Sequence, residues 1–187
     1  MNIIGITGAS GMIGWHLRTF LETKGVSEIK IATRETFKSN EALIDFVKNT
    51  DVIFHLASQC SGDDLLEVNN QIDKSLVGAI DQVSATPHII FASSSHIKIN
   101  QSSQFALSKL TSSKYFERWS IKRGIRFSNI VIPHVFGENG RPFHNSVVTT
   151  FSHQLANGKK IKLLVDKQLE LIHAQKLSES IYEIALQ

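Results

Sequence analysis

Short apolar runs alternate along this chain with longer stretches whose apolar residues recur every three or four positions. The runs NIIGIT (2–7), EIKIAT (28–33), DVIFHLA (51–57), HIIFAS (88–93) and RFSNIVI (126–132) each read as a strand. Between them the periodicity predicts helices over 12–24, 40–49, 64–84, 104–123 and 145–157. In the third of these, Leu65, Leu66, Val68, Ile72, Leu76, Val77 and Ile80 fall at helical spacing. A weak strand at 161–165 and a helix at 175–186 complete the pattern. Strands alternating with helices predict an α/β fold with a parallel sheet. Neither a repeat nor a Pro/Gly/Ser-rich linker divides the 187 residues, so a single domain over 1–187 is the expectation.

Composition narrows the class. With 42% hydrophobic and 20% charged residues the chain can bury a core of its own. The formal charge is +3, from 20 basic and 17 acidic residues, and the basic ones are scattered except for Lys159, Lys160 and Lys162, which read as a solvated loop edge. That distribution lacks the concentrated basic face of a nucleic-acid binder. Cys60 is the only cysteine, so no intrachain disulfide can form and a reducing compartment is expected. No stretch approaches the roughly 18 consecutive apolar residues of a membrane span. The first residues, MNIIGITGAS, run straight into a strand and a glycine turn, unlike a signal peptide. A cytoplasmic protein with no nucleic-acid partner, no membrane and no metal site is the expectation.

The segment TGASGMIG (7–14) sets Gly8, Gly11 and Gly14 three residues apart between the first predicted strand and the first predicted helix. Glycine is needed where backbone turns tightly and where it comes close to a pyrophosphate, whose charge then meets free N–H groups at a helix N-terminus. Gly8, Ser10, Gly11, Met12, Ile13 and Gly14 are therefore candidate cofactor residues, the alternative being a turn that only packs helix on sheet.

This spacing resembles the extended short-chain dehydrogenase/reductase family, also described as NAD-dependent epimerases and dehydratases. DVIFHLAS (51–58) resembles its Asp-x-x-x-His-x-Ala strand, FASSSHIK (91–98) its Ser-Ser-Ser strand end, Val68-Asn69 its helical asparagine, and PHVFGENG (133–140) its Pro-Asn-Val-Phe/Tyr-Gly loop. The resemblance implies a Rossmann-type doubly wound parallel sheet, with the backbone of Leu56, Ala57 and Ser58 beside a dinucleotide. Where an acidic residue would hold the ribose of NAD, the sequence reads Ala32-Thr33-Arg34-Glu35. A guanidinium at Arg34 suits a ribose 2′-phosphate and favours NADP(H), while Glu35 would serve NAD(H) if the register shifts by one.

RPFHNSVVTTFSHQLANGKKIKL (141–163) further resembles the UDP-sugar reductases of capsule and O-antigen synthesis, in the L-fucosamine branch. Those enzymes reduce a UDP-linked 4-keto-6-deoxy-N-acetylhexosamine with NADPH and carry a C-terminal cupin domain. No cupin segment is read here, and the substrate region, a loop at about 133–160, is expected to be reduced. By this resemblance Arg141 and Asn145 would grip a nucleotide-sugar, although Asn145 also fits a helix N-cap. Asn69 would support a water, with a plain surface position as the competing reading. Dimerisation through the helices at 64–84 and 104–123 is also implied. Leu107, Leu110, Phe116 and Trp119 suit either that interface or the core.

In the family a tyrosine moves the proton at the substrate oxygen and a lysine four residues on binds the ribose and lowers the phenol's pKa. Here QFALSKL (104–110) supplies Lys109 but Phe105 in the tyrosine's place. A phenyl ring has neither donor nor ionisable group, so a proton-transfer contribution of about 10²- to 10⁴-fold is missing from that position. Ser95 takes the family's serine role at the substrate oxygen. Tyr115 lies ten residues further on, about 15 Å along a helix, too far to substitute. His96 and His134 are the candidate replacements, since an imidazole titrates near neutrality, unless they only pack. Two functions follow from the sequence: an NAD(P)-dependent sugar-nucleotide oxidoreductase or epimerase with an altered proton donor, or a non-catalytic dinucleotide-binding sensor or scaffold of the same fold.

Overall fold

The computed structural model describes residues 2–161, 163, 165–166 and 168–187. Five strands form one parallel sheet: β1 (Ile3–Thr7), β2 (Glu28–Ala32), β3 (Val52–His55), β4 (His88–Ser94) and β5 (Phe127–Ile132), in the order β2-β1-β3-β4-β5. Helices α1 (Met12–Glu22), α2 (Asn40–Val47), α3 (Leu65–Gln82) and α5 (Gln104–Arg123) supply the crossovers, with a short α4 (His96–Ile99) after β4. A second, two-stranded parallel sheet pairs β6 (His134–Phe136) with β7 (Leu171–His173). Between these lies α6 (Val147–Ala156), and α7 (Ala174–Leu186) follows. The α/β fold with a parallel sheet expected from the pattern, of the Rossmann type implied by the resemblance, is the one found.

A parallel sheet is buried on both faces, and strand alternation sorts its side chains accordingly. Ile4, Ile6, Val52, Phe54, Ile90 and Ala92 pack with Leu17 and Leu21 of α1 and Leu177 and Ile181 of α7. Ile53, Ile89 and Phe91 meet Phe46 of α2, Leu76 and Ile80 of α3 and Phe116 of α5 on the other side. Each such side chain contributes about 1.5–3 kcal/mol when fully buried. Asp51 opens β3 by accepting the N–H groups of Asn2 (2.6 Å) and Ile3 (3.1 Å), which ties the start of β1 to its neighbour. Those two bonds hold its carboxyl below the usual carboxylate range.

The long helices begin and end near where the pattern places them. Ser103 caps α5 by accepting the N–H of Ala106 (3.1 Å), and Gly124 in the left-handed region ends it. Phe116 and Trp119 belong to the core, whereas Leu107 and Leu110 are 47% and 40% exposed. The predicted strand at 161–165 includes residues 162 and 164, which lie outside the described residues, and 161, 163 and 165 form no strand. Among the described residues no helix is long and apolar enough to cross a membrane.

The chain crosses from one side of the sheet to the other between β1 and β3. In open α/β sheets, ligands bind outside the carboxyl ends of the strands at such a switch point. The glycine turn follows β1 and residues 56–58 follow β3, so both predicted cofactor segments meet there.

Candidate functional site

The glycine turn is wedged between α1 and the segment after β3. Gly8 has φ +71°, and a Cβ there would lie 2.7 Å from the backbone N of Ala57. A Cβ on Gly14 would collide with the carbonyl O of Gly8, so a side chain at either place would push the turn apart. Gly11 is the N-cap of α1, with no side-chain bond, and the first turn holds no acidic residue. The N–H groups of Met12 and Ile13 therefore point out of an uncapped, positively polarised helix end, and Ser10 is exposed beside them. This cradle fits the pyrophosphate of a dinucleotide.

A buried hydrogen-bond chain holds the opposite wall. Thr7 Oγ1 accepts the backbone N–H of Leu56 (3.1 Å) and of Ala57 (3.0 Å), which leaves its own hydrogen for His55 Nδ1 at 2.9 Å. That assignment makes Nε2–H of His55 the donor to Asp73 Oδ1 at 3.0 Å. The Ser112 hydroxyl donates to the other carboxylate oxygen of Asp73. One line of polar side chains thus links β1, β3, α3 and α5. Its consequence for the cofactor segment is that the amides of Leu56 and Ala57 are spent inside the protein. Their carbonyls and the Ser58 side chain, which donates to Gln59 O at 3.2 Å, are what the segment can present.

Asn69 is buried, not a surface position, and it completes this wall. Its Oδ1 accepts from Gln59 N (2.7 Å), and its Nδ2 donates to Gln59 O (3.0 Å) and to Ser108 Oγ (2.9 Å). Both amide hydrogens are used, so the group clamps the loop after β3 to α5 and has no donor left for a water.

At the carboxyl end of β4 the chain places Ser93, Ser94 and Ser95 in succession. Ser93 Oγ is buried without a partner among the described residues, and Ser94 Oγ accepts from His96 N at 3.3 Å. Ser95 caps α4 without using its hydroxyl for the purpose, which leaves that group half-exposed at the strand end. Beneath it, Lys109 Nζ donates to Ala92 O at 2.8 Å and lies 5.0 Å from the Phe91 ring and 5.8 Å from the Phe105 ring. Burial pushes the ammonium down to about 8, against the opposing pull of Cys60 and Asp73. The Phe105 ring meets His96 edge-on at 6.0 Å, and His96 meets His134 edge-on at 5.2 Å. The structure therefore brings His96, Phe105, Lys109 and His134 into one cluster, with Ser95 adjoining His96 in the chain.

The remaining candidates are on the rim. Arg34 is exposed on the turn after β2, while Glu35 is engaged with Lys38 at 2.8 Å. Arg141 and Asn145 are exposed on the loop between β6 and α6. The N-cap of α6 is Ser146, whose hydroxyl accepts from Thr149 N at 3.3 Å, so the capping alternative for Asn145 is corrected. Asn145 stands one residue too early to cap.

Residues 4–185 match the model of the NAD dependent epimerase/dehydratase family. The chain belongs to this family. As a member, it is 27% identical over 161 residues to the UDP-2-acetamido-2,6-beta-L-arabino-hexul-4-ose reductase of Pseudomonas aeruginosa, an alignment covering 84% of this chain and 42% of that protein. The capsular polysaccharide assembling protein CapF of Staphylococcus aureus shares its fold with a TM-score of 0.75 at 23% identity, covering 98% of this chain and 50% of CapF. The UDP-N-acetylglucosamine 4-epimerase of Bacillus cereus does so with a TM-score of 0.82 at 18% identity, covering 100% and 72%. This family member spans about half the length of the reductase and of CapF.

Thr7, His55, Asp73 and Ser112 are site-forming residues that the sequence reading passes over. His55 was visible inside the Asp-x-x-x-His-x-Ala string, but its partners lie 18 and 48 residues away and nothing in spacing joins them.

Proposed function

We propose that this chain binds NADP(H) at the glycine turn and a nucleotide-sugar across the carboxyl edge of β4 and β5, and reduces a keto group of that sugar. A UDP-linked 4-keto-6-deoxy-N-acetylhexosamine, in polysaccharide biosynthesis in the cytoplasm, is the substrate class that the relatives' chemistry supports. The observation that carries this reading is Lys109: a buried ammonium kept at the strand end beneath Phe105 has no structural need of its own. The cofactor supplies the hydride. Lys109 then binds the ribose, Ser95 hydrogen-bonds the substrate oxygen, and His96 or His134 gives that oxygen its proton, Phe105 keeping only the ring's volume. Arg34 faces the 2′-phosphate, and Arg141 and Asn145 take the nucleotide-sugar.

Phe105 itself favours a second reading, a dinucleotide and sugar-nucleotide binding protein without turnover. NADPH oxidation with a panel of UDP-4-keto sugars separates the two. Under the first reading the native chain turns over, Phe105→Tyr raises the rate, and His96→Ala with His134→Ala lowers it about 10²-fold or more. A native chain that binds NADPH by calorimetry yet never oxidises it sinks the first reading and leaves the second. Absence of any dinucleotide binding sinks both.

A further inference from the structure

The β6–β7 sheet and the loop after β6 stand outside the five-stranded sheet, and one carboxylate fastens them to it. Glu138 Oε2 lies 3.4 Å from His16 Nε2 on α1 and 3.4 Å from His173 Nε2 at the end of β7. His16 Nε2 also lies 3.2 Å from the carbonyl O of Glu138, an acceptor only, so that nitrogen must carry a hydrogen. His173 Nδ1 accepts the N–H of Gln175 at 3.3 Å and caps α7, so its hydrogen must sit on Nε2. The Nε2–H of His16 is thus bonded to the loop carbonyl, and the Nε2 atoms of both imidazoles stand at ion-pair distance, 3.4 Å, from one carboxylate.

The surroundings hold this geometry in place. His16 is buried, edge-on to Trp15 at 4.8 Å and to His173 at 5.6 Å, and His173 is edge-on to Phe136 at 5.2 Å. Gly137 has φ +155°, and a Cβ there would lie 3.1 Å from His16 Nε2, so a larger residue would strain the loop and press on the imidazole. His16 is one helical turn below Met12 and Ile13, the N–H groups of the proposed dinucleotide cradle. Arg141 lies three residues past Glu138 and Asn145 seven.

We propose that Glu138 is a positioning residue: with its carbonyl bonded to His16 and its carboxylate facing His16 and His173, it fixes the loop that carries Arg141 and Asn145 against α1, beside the cofactor cradle. The fixed loop presents the nucleotide-sugar contacts in one place, and this role rests on the proposed function. Its physical part is testable without any ligand, by hydrogen–deuterium exchange of peptides covering residues 137–146. Glu138→Ala is expected to speed that exchange at least ~10-fold, by loss of the carboxylate that faces both imidazoles. Glu138→Gln is expected within about twofold of the native chain, because an amide oxygen keeps an acceptor facing both Nε2 atoms. Equal exchange in Glu138→Ala and native chains, or Glu138→Gln as fast as Glu138→Ala, overturns the proposal. With NADPH and a UDP-4-keto sugar, Glu138→Ala is expected to raise KM for the sugar about tenfold with kcat nearly unchanged. A lowered kcat at native KM overturns the positioning role. A native chain that takes up no dinucleotide refutes the proposed function instead, and the exchange comparison still judges Glu138.

Discussion

Lys109 shows what this site costs the protein. An ammonium that is 5% exposed and held down to about 8 is a group the fold would discharge if it could. Its ordinary value is 10.5, so the displacement corresponds to about 3 kcal/mol of burial cost below pH 8. The unfolded chain binds the proton more tightly, so between pH 8 and 10.5 it carries more protons than the folded one and stability rises with pH. Lys109→Met keeps the packing against Phe91 and Phe105 and removes the charge, at the loss of one bond to Ala92 O. We expect this variant to hold or raise the thermal midpoint at pH 7 and to lose the rise in stability between pH 8 and 10.5. NADPH affinity should fall by ~10-fold or more, as for a lost charge-assisted bond. Thermal melts across that pH range with calorimetry at pH 7 check both. A variant that melts well below the native chain would mean that Lys109 serves stability, not a ligand.

Between elements, side-chain amides and hydroxyls do what strand pairing does within the sheet. Asn69 joins the loop after β3 to α5 by three bonds. Asn69→Asp keeps the acceptor for Gln59 N but sets a carboxylate oxygen against Gln59 O and Ser108 Oγ, of which only the hydroxyl can turn to donate, so it is expected to destabilise by about 1–3 kcal/mol and at least as much as Asn69→Ala. Urea denaturation at pH 7 measures it, and an Asp variant as stable as the native chain would refute the clamp. Much of the architecture at this scale was legible in the sequence. The helix predicted at 104–123 is the helix found, because Ser103 and Gly124 bracket a run of helix-compatible residues. The two three-residue strands β6 and β7 and the four-residue α4 escaped, since pieces that short never complete a second period of their pattern. Asn69 was ambiguous for a different reason: its neighbours Val68 and Ile72 mark the apolar stripe, but a polar residue at the edge of the stripe is buried only if distant partners exist. The Glu138 latch joins residues 122 apart and left no local trace at all.

At the scale of the whole molecule, strand order was not in the pattern, but the glycine turn named the strand on which the order would reverse. What the fold leaves open is one face. Leu66 on α3 and Leu107 and Leu110 on α5 are exposed, and Leu66 and Leu107 line one groove together with Thr111 and Tyr115. Two adjacent helices presenting leucines across a groove suit a second copy of the same pair, joined about a twofold axis as a four-helix bundle. We therefore expect the chain to sediment as a homodimer at micromolar concentration. Leu107→Glu with Leu110→Glu should yield a monomer, because each of the four carboxylates brought to the seam would be desolvated without a partner. Both positions are exposed in the single chain, so the double variant should fold with native circular dichroism and lose only the association. Sedimentation equilibrium decides the matter: a native chain that stays monomeric, or a double variant that still dimerises, would place the contact elsewhere or nowhere. The carboxyl edge of the sheet is formed within one copy, so dinucleotide binding should survive in the monomer.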